Sequence, residues 1–305
     1  MSPYPPLITI AGCTAIGKTD LAIGLARRLG GEIVGADSRQ IYRQMDIGTA
    51  KPTAAERAAT PHHVIDLIDP DAEFSLARYQ ELALAAITDI TARGHVPLLV
   101  GGTGQYLQAL LEGWQVPRVP PQPEMRSALA AEAEANGIET LHRRLEAVDP
   151  DAARAIGPTN LRRIIRALEV YQVTGRPISE QQTKSPPPYA MVTLWLDMPR
   201  EHLYRRIDER VDRMIEAGLV DEVRTLLQHG YGWDLPAMSS LGYKEFRPYF
   251  AQQMSLDECI QTLKWNTHAF ARRQIAWFKR LPEVRVVTAG HGVLDSALRE
   301  IDRRG

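Results

Sequence analysis

Eight consecutive residues, Gly12-Cys13-Thr14-Ala15-Ile16-Gly17-Lys18-Thr19, follow the spacing G-x-x-x-x-G-K-[ST], and that spacing suits the binding of phosphate. Glycines let backbone N–H groups turn onto phosphate oxygens, and a helix beginning at the lysine adds its partial positive charge. Lys18 supplies a mobile cation, and Thr19 supplies a hydroxyl that can ligate Mg²⁺. The pattern is that of nucleotide-binding, ATP-binding loops, and its bland alternative is a glycine turn beside a lysine. It does not say what happens to the phosphate. Nucleotide hydrolases usually end an apolar strand in a metal-holding aspartate. Here Val96-Pro97-Leu98-Leu99-Val100 runs into Gly101-Gly102-Thr103-Gly104, with no acid. An acid stands instead at Asp37, after Glu32–Ala36. Ligands of open α/β sheets bind beyond the carboxyl ends of the strands. Asp37 therefore either faces the phosphate loop or is a cap or turn residue. Arg206, Arg210 and Arg213 recur at i, i+4 and i+7, on one helical face. They read as a cationic wall for a diphosphate or as a solvated charged face.

These residues need a scaffold, and the rest of the chain describes one. Leu7–Gly12 reads as a buried strand and Lys18–Leu29 as a helix ended by Gly30-Gly31. Glu32–Ala36 is a second strand, Phe74–Arg93 a long helix, Val96–Val100 a third strand, and a further helix runs to about Glu112. Alternation of strand and helix predicts a parallel α/β sheet. At Val116–Pro123 the texture turns proline-rich, and from Glu124 to about Gly175 the pattern is helical throughout. Ser185-Pro186-Pro187-Pro188 forms a second hinge, after which Met191–Leu196 returns as a strand. Helices at Arg200–Ala217, Leu219–His229 and Ser255–Arg280, a strand at Val284–Val287 and a last helix complete the chain. The expected fold class is α/β, a P-loop parallel-sheet core (1–115 and 186–305) carrying a helical insertion domain (116–185).

The 305 residues are 44% hydrophobic and 24% charged with a net charge of −1, ordinary for a globular protein and unlike a basic nucleic-acid coat. Thirty arginines stand against six lysines, and arginine suits bidentate contacts to phosphate and stacking on bases. Two distant cysteines, Cys13 and Cys259, predict a reducing compartment. No apolar run approaches the ~20 residues that span a bilayer, and the opening MSPYPP lacks the pattern of a secretory signal. The expectation is a cytoplasmic enzyme, without membrane attachment and monomeric by default. The eight histidines show no metal-ligand spacing; His62-His63 reads as a structural turn at least as readily as a contact. Trp265 and Trp277, twelve residues apart on one helix, read as core.

Several strings occur in order: GCTAIGKT, ADSRQIYRQMDIGTAKP, PHHVIDLIDP, FSLARYQ, PLLVGGTGQYLQALLEG, LRRIIRALEVYQVTGRPIS, RIDERVDRMIEAGLVDEV and LGYKE…RRQIAWFKR. Together they resemble the tRNA dimethylallyltransferase family (tRNA isopentenyltransferases) over nearly the whole chain. The resemblance implies transfer of a dimethylallyl group from dimethylallyl diphosphate to the N6 amine of the adenosine 3′-adjacent to the anticodon. The phosphate loop, Gly12 through Thr19, would then hold the diphosphate and not ATP, with Mg²⁺ as cofactor at Thr19. Asp37 matches the family's general base, Arg206 its diphosphate-binding arginine, and Thr14 a further catalytic position. Contacts to the tRNA anticodon stem-loop carry over to Asp37, Ser38, Arg39, Gln40, Thr103 and Arg126. They also carry over to the run Arg162, Arg163, Ile164, Ile165 and Arg166, and to Ser239, Ser240, Leu241, Gly242, Tyr243 and Lys244.

The chain departs from the family pattern in three places. Cys13 stands where proline is usual, Ile16 where a small residue is usual, and Met238–Leu241 differs before Gly242-Tyr243-Lys244. A β-branched Ile16 inside a tight loop predicts hindered loop geometry, so that Ile16→Ser should raise activity or leave it unchanged; if Ile16 instead points outward and packs on an apolar neighbour, the serine should lower stability while chemistry stays constant. Two rival readings share parts of the pattern. A nucleotide or small-molecule kinase would share the loop and fold but has no role for DIGTAKP or RRIIRALE. A non-catalytic RNA-binding protein would retain a degenerate loop.

Overall fold

The computed structural model describes residues 4–303 except 186, 280 and 282. In chain order the elements are β1 (Pro6–Ala11), α1 (Lys18–Leu29), β2 (Gly31–Ala36), α2 (Ala54–Ala59), β3 (His62–His63), α3 (Leu76–Ala92), β4 (Val96–Gly101) and α4 (Gly104–Leu111). Then come α5 (Pro123–Asn136), α6 (Ile138–Val148), α7 (Pro150–Ile156), α8 (Leu161–Thr174) and α9 (Ile178–Gln181). The chain closes with β5 (Ala190–Asp197), α10 (Arg200–Glu216), α11 (Leu219–Gln228), α12 (Arg247–Phe250), α13 (Leu256–Phe278), β6 (Val284–Thr288) and α14 (Val293–Asp302).

The strands form one parallel sheet in the order β3-β2-β4-β1-β5-β6. Its central strands are buried on both faces, as their unbroken apolar runs require. One face is covered by α1 and α10 through Leu21, Leu25, Leu203 and Ile207, the other by α3 and α4 through Tyr79, Ile87, Leu107 and Leu110. A third cluster packs α11 and α13 against Ile41, Met45 and Phe246. The order brings β1, β2 and β4 together, so the loops that follow Ala11, Ala36 and Gly101 emerge side by side.

The short edge strand β3 has no counterpart in the sequence-based expectation. His62 and His63 pair with Ile33 and Val34, and His63 meets buried Glu32 through Nε2 at 2.7 Å. The histidine pair is thus structural. Arg93 also binds Glu32, and this hydrogen bonding outweighs the burial of its carboxyl and holds its pKa down to about 2.

The chain divides into two compact units, Met1–Leu111 with Pro188–Gly305, and Glu112–Pro187. The second unit is a few residues wider at each end than the expected 116–185. Its neck is a pair of antiparallel backbone stretches: Gln115 N–H donates to Thr183 at 2.8 Å and Ser185 N–H to Gly113 at 2.9 Å. The neck, and not the proline run, closes the unit. Inside it, α5 to α9 pack around Leu129, Leu141, Leu145, Ile164 and Leu168. Pro186 and Arg280, part of the expected hinge and helix end, lie outside the described residues.

Candidate active site

The phosphate loop leaves β1 at buried Ala11 and enters α1 at Lys18. Gly17 caps that helix at φ +101°, a conformation that favours glycine. Ala15 is also left-handed, at φ +62°, a cost of about 1–2 kcal/mol for a residue with a Cβ. The Nε–H of Arg206 donates to the Ala15 carbonyl at 2.9 Å. Lys18 donates from Nζ to the Cys13 carbonyl at 2.8 Å. Burial in the loop lowers the Lys18 pKa to about 8, helped by Arg210 and opposed by the neighbouring Cys13 and Asp37.

Both unusual loop residues point inward. Cys13 and Ile16 are 1% and 2% exposed and belong to the core under α1. A Cβ on Gly12 would lie 3.0 Å from Ile16 Cγ2 and 3.3 Å from Leu196 Cβ. Ile16 thus packs on apolar neighbours beneath the loop, which favours a packing role for its side chain over hindrance of the loop.

A cavity of about 770 Å³ opens above this loop. Thr14 to Asp20 form its floor, Asp37 to Gln40 and Gly101 to Gln105 one side, and Arg206, Arg210 and Arg213 another. Leu203, Ile207 and Val211 seat the adjoining stripe of α10 in the core, and the three arginines beside it line the cavity. Burial lowers the Arg210 pKa, and Asp37 partly restores it. Asp37 follows β2 and accepts the Arg39 N–H at 2.8 Å through Oδ1. Asp37 both closes a short turn and lines the cavity. Thr103 accepts the Ser38 N–H at 2.9 Å, joining the loops after β2 and β4. Gln40 donates to the carbonyls of Thr49 and Ala50, so its amide braces the following loop.

That loop explains the DIGTAKP string. Glu222 of α11 accepts the N–H groups of Asp46, Ile47 and Gly48, and the Tyr243 hydroxyl at 2.7 Å. A Cβ on Gly48 would fall 2.5 Å from the Tyr243 ring. The Lys51 ammonium is buried against the Tyr42 carbonyl, Asp46 and Asp66.

The carried-over RNA positions divide. Ser239, Ser240, Leu241, Gly242 and Lys244 line the cavity. Tyr243 does not; it is fully buried in the cluster around α11 and α13. In the second unit Ile164 and Ile165 are buried, at 0% and 9% exposure, because they occupy the inward stripe of α8, and they offer no surface to RNA. Arg162 and Arg163 are exposed on that helix's first turn. Arg126 and Arg166 are held by Glu169, which is completely buried: Arg126 Nε donates at 2.7 Å, Arg166 Nη1 at 2.6 Å and Gln122 N–H at 2.8 Å. Burial would raise the Glu169 pKa, but these donors prevail and lower it.

Sequence reasoning found the helix α13 but missed the face it gives to the cavity. Phe270, Arg273, Gln274 and Trp277 follow the i, i+3, i+4, i+7 spacing of one face and line the cavity. Trp277, expected in the core, lies against Gly104, and Trp265, also expected there, is 63% exposed. The available signal was that helical spacing together with the glycines of Gly101-Gly102-Thr103-Gly104.

The phosphate loop after β1, Asp37 after β2 and three arginines of α10 thus line one cavity at the end of a parallel sheet. The family model described as IPP transferase matches residues 40–281. This chain belongs to the IPP transferase family. It is 61% identical over 299 residues to the tRNA dimethylallyltransferase of Roseiflexus sp. (strain RS-1), covering 98% of each chain. It is 63% identical to that of Chloroflexus aggregans, covering 93% of this chain and 96% of the relative. Among solved structures, the tRNA isopentenylpyrophosphate transferase of Bacillus halodurans superposes with a TM-score of 0.71 at 42% identity, covering 97% and 94% of the two chains. A eukaryotic dimethylallyltransferase described as acting on tRNA gives a TM-score of 0.83 at 30% identity, covering 97% of this chain and 78% of that one.

Proposed function

We infer that this chain transfers the dimethylallyl group of dimethylallyl diphosphate to the N6 amine of the adenosine 3′-adjacent to the anticodon of tRNA, releasing diphosphate. The observation that carries this reading is one cavity in which the phosphate loop and Asp37 face a common space while β4 ends without an acid. Adenine's exocyclic amine is a weak nucleophile because its lone pair is delocalised. As the N6–C1 bond forms and the C1–O bond to diphosphate breaks, Asp37 accepts the N6 proton, help typically worth ~10²–10⁴-fold. Negative charge gathers on the departing diphosphate. Loop N–H groups, Lys18, Arg206 and Arg210 stabilise it in a site where they are already oriented, and Thr14 lies at the loop's entry. The target base must leave its stack to enter the cavity, beside Ser38 and Thr103.

Thr19 offers a hard oxygen donor that Mg²⁺ takes together with phosphate oxygens and water. Among the described residues no group of three or more His, Cys, Asp or Glu side chains could hold a metal, which fits an ion carried largely by the diphosphate. Bound there, Mg²⁺ would neutralise leaving-group charge. In the insertion, the exposed Arg162 and Arg163 are the arginines we assign to RNA phosphates. Among the described residues no helix is long and apolar enough to cross a membrane. Two free, buried cysteines support a cytoplasmic setting, and a monomer is the working form we propose.

Incubating the protein with labelled dimethylallyl diphosphate and bulk tRNA should label the tRNA, and Asp37→Ala should fold yet lose most of that transfer. Phosphorylation of an acceptor by ATP in place of prenyl transfer would establish the kinase reading. RNA binding without either reaction would establish the non-catalytic one.

A further inference from the structure

Gln274 is 7% exposed, and its amide reaches two loops that are distant in sequence. Oε1 accepts the Thr14 N–H at 2.9 Å, and Nε2 donates to the Gly102 carbonyl at 2.8 Å. Rotating the amide would set donor against donor and acceptor against acceptor, so the network fixes its orientation. The β1–β4 ladder ends at Ala11 opposite Gly101. Both strands end at that pair, and the side-chain amide bonds to the backbone of the two loops that follow. A Cβ on Gly102 would lie 2.5 Å from Nε2, so this glycine makes room for the amide.

We propose that Gln274 is a positioning residue for prenyl transfer, its amide locking Thr14 of the phosphate loop to the Gly102-Thr103 segment so that the diphosphate side and the base side of the cavity keep one separation. This rests on the transferase reading above. With its N–H given to Gln274, Thr14 withdraws that donor from the diphosphate, and its backbone is held at the cavity floor. On the other side, Gly102 is held next to Thr103, whose hydroxyl receives the Ser38 N–H. Asp37 precedes that serine. One buried amide therefore relates the leaving-group cradle to the base, and reacting groups misplaced by about 1 Å can cost ~10²-fold in rate.

The test is a double-mutant cycle of Gln274→Met and Gly102→Ala, with Gln274→Glu alongside. Methionine preserves length and volume but makes neither hydrogen bond. The alanine methyl displaces the amide from the other side. Single-turnover transfer is measured per folded molecule at saturating substrates, together with melting temperature and dimethylallyl diphosphate affinity. The expected result is a fall of about tenfold or more in the transfer rate for each single variant, with the tRNA KM unchanged. The double variant should be no slower than the slower single one, since both break one link. Gln274→Glu keeps an acceptor for Thr14 but loses the donor to Gly102 and brings negative charge, so it should also weaken diphosphate binding. Transfer rates within twofold of wild type in either single variant would overturn the proposal. So would losses that multiply in the double variant, or a lowered melting temperature with an unchanged rate. Should Gln274→Met not fold, the Gly102→Ala and Gln274→Glu rates decide by the same limits. A wild-type protein that transfers no prenyl group would refute the underlying reading, which separates the two failures.

Discussion

The guanidinium of Arg206 is bonded to the backbone of Ala15: its Nε–H donates to the Ala15 carbonyl at 2.9 Å, while Nη2 comes within 3.6 Å of where a Cβ on Gly17 would sit. α10 is thereby fastened to the left-handed turn of the phosphate loop before any substrate arrives. Arginine can do this and still present N–H groups to an anion, because its planar fork carries five donors. Arg206→Lys keeps the charge but loses the fork. The expected result is a fall of about 10–10²-fold in kcat/KM for dimethylallyl diphosphate, with tRNA affinity unaltered. Steady-state kinetics with each substrate varied in turn checks it; equal losses for both would contradict the assignment.

Ile16→Ser should lower stability and leave chemistry alone. Ile16 is 2% exposed in the core beneath the loop, and truncating a buried aliphatic side chain typically costs about 2–4 kcal/mol. Thermal melts and single-turnover rates on the same preparation are the measurement. A faster variant with an unchanged melting temperature would restore the idea of loop hindrance.

Above pH 8 the enzyme should lose hold of its diphosphate substrate. Burial lowers the Lys18 pKa to about 8, so in the free enzyme the ammonium is charged below that value and neutral above it. Since kcat/KM reports the free enzyme, it should fall as pH rises through about 8, approaching tenfold per pH unit. An unaltered profile to pH 9.5 would show that Lys18 is not the group that matters.

Arg162→Ala with Arg163→Ala should weaken tRNA binding and reduce its salt dependence, the log–log slope falling by roughly 0.7–0.9 for each phosphate no longer neutralised. Dimethylallyl diphosphate affinity should stay constant. Glu169→Ala acts differently: it strands Arg126 and Arg166 beside a vacated buried site. Removing one partner of such a network costs on the order of 3–5 kcal/mol. Binding titrations at several salt concentrations, beside melting curves, distinguish a weakened RNA surface from an unfolded insertion.

Local chemistry made much of this molecule readable. The glycine spacing, the apolar strands and the i, i+4, i+7 arginines of α10 are short-range patterns, and each ends up where its period places it. What escaped depends on partners far along the chain. A two-residue strand such as β3 has no period to detect; it is defined by its pairing with Ile33 and Val34, beside which His63 reaches Glu32. Ile16 looked like an obstacle because sequence does not reveal which way a loop residue points. Trp277 and Trp265 share a helix and a residue type, yet one meets Gly104 and the other solvent. Gln274 is a lone amide whose role appears only when residues 14 and 102 are seen beside it.

The carboxylate of Glu222, seated on the N–H groups of residues 46 to 48, has a consequence for selectivity. Successive backbone amides that converge in this way make a concavity suited to phosphate. The protein fills that concavity with an anion of its own, so the N–H groups of residues 46 to 48 are already satisfied. The phosphate loop at the start of α1 faces the cavity, while the neighbouring loop already holds a carboxylate.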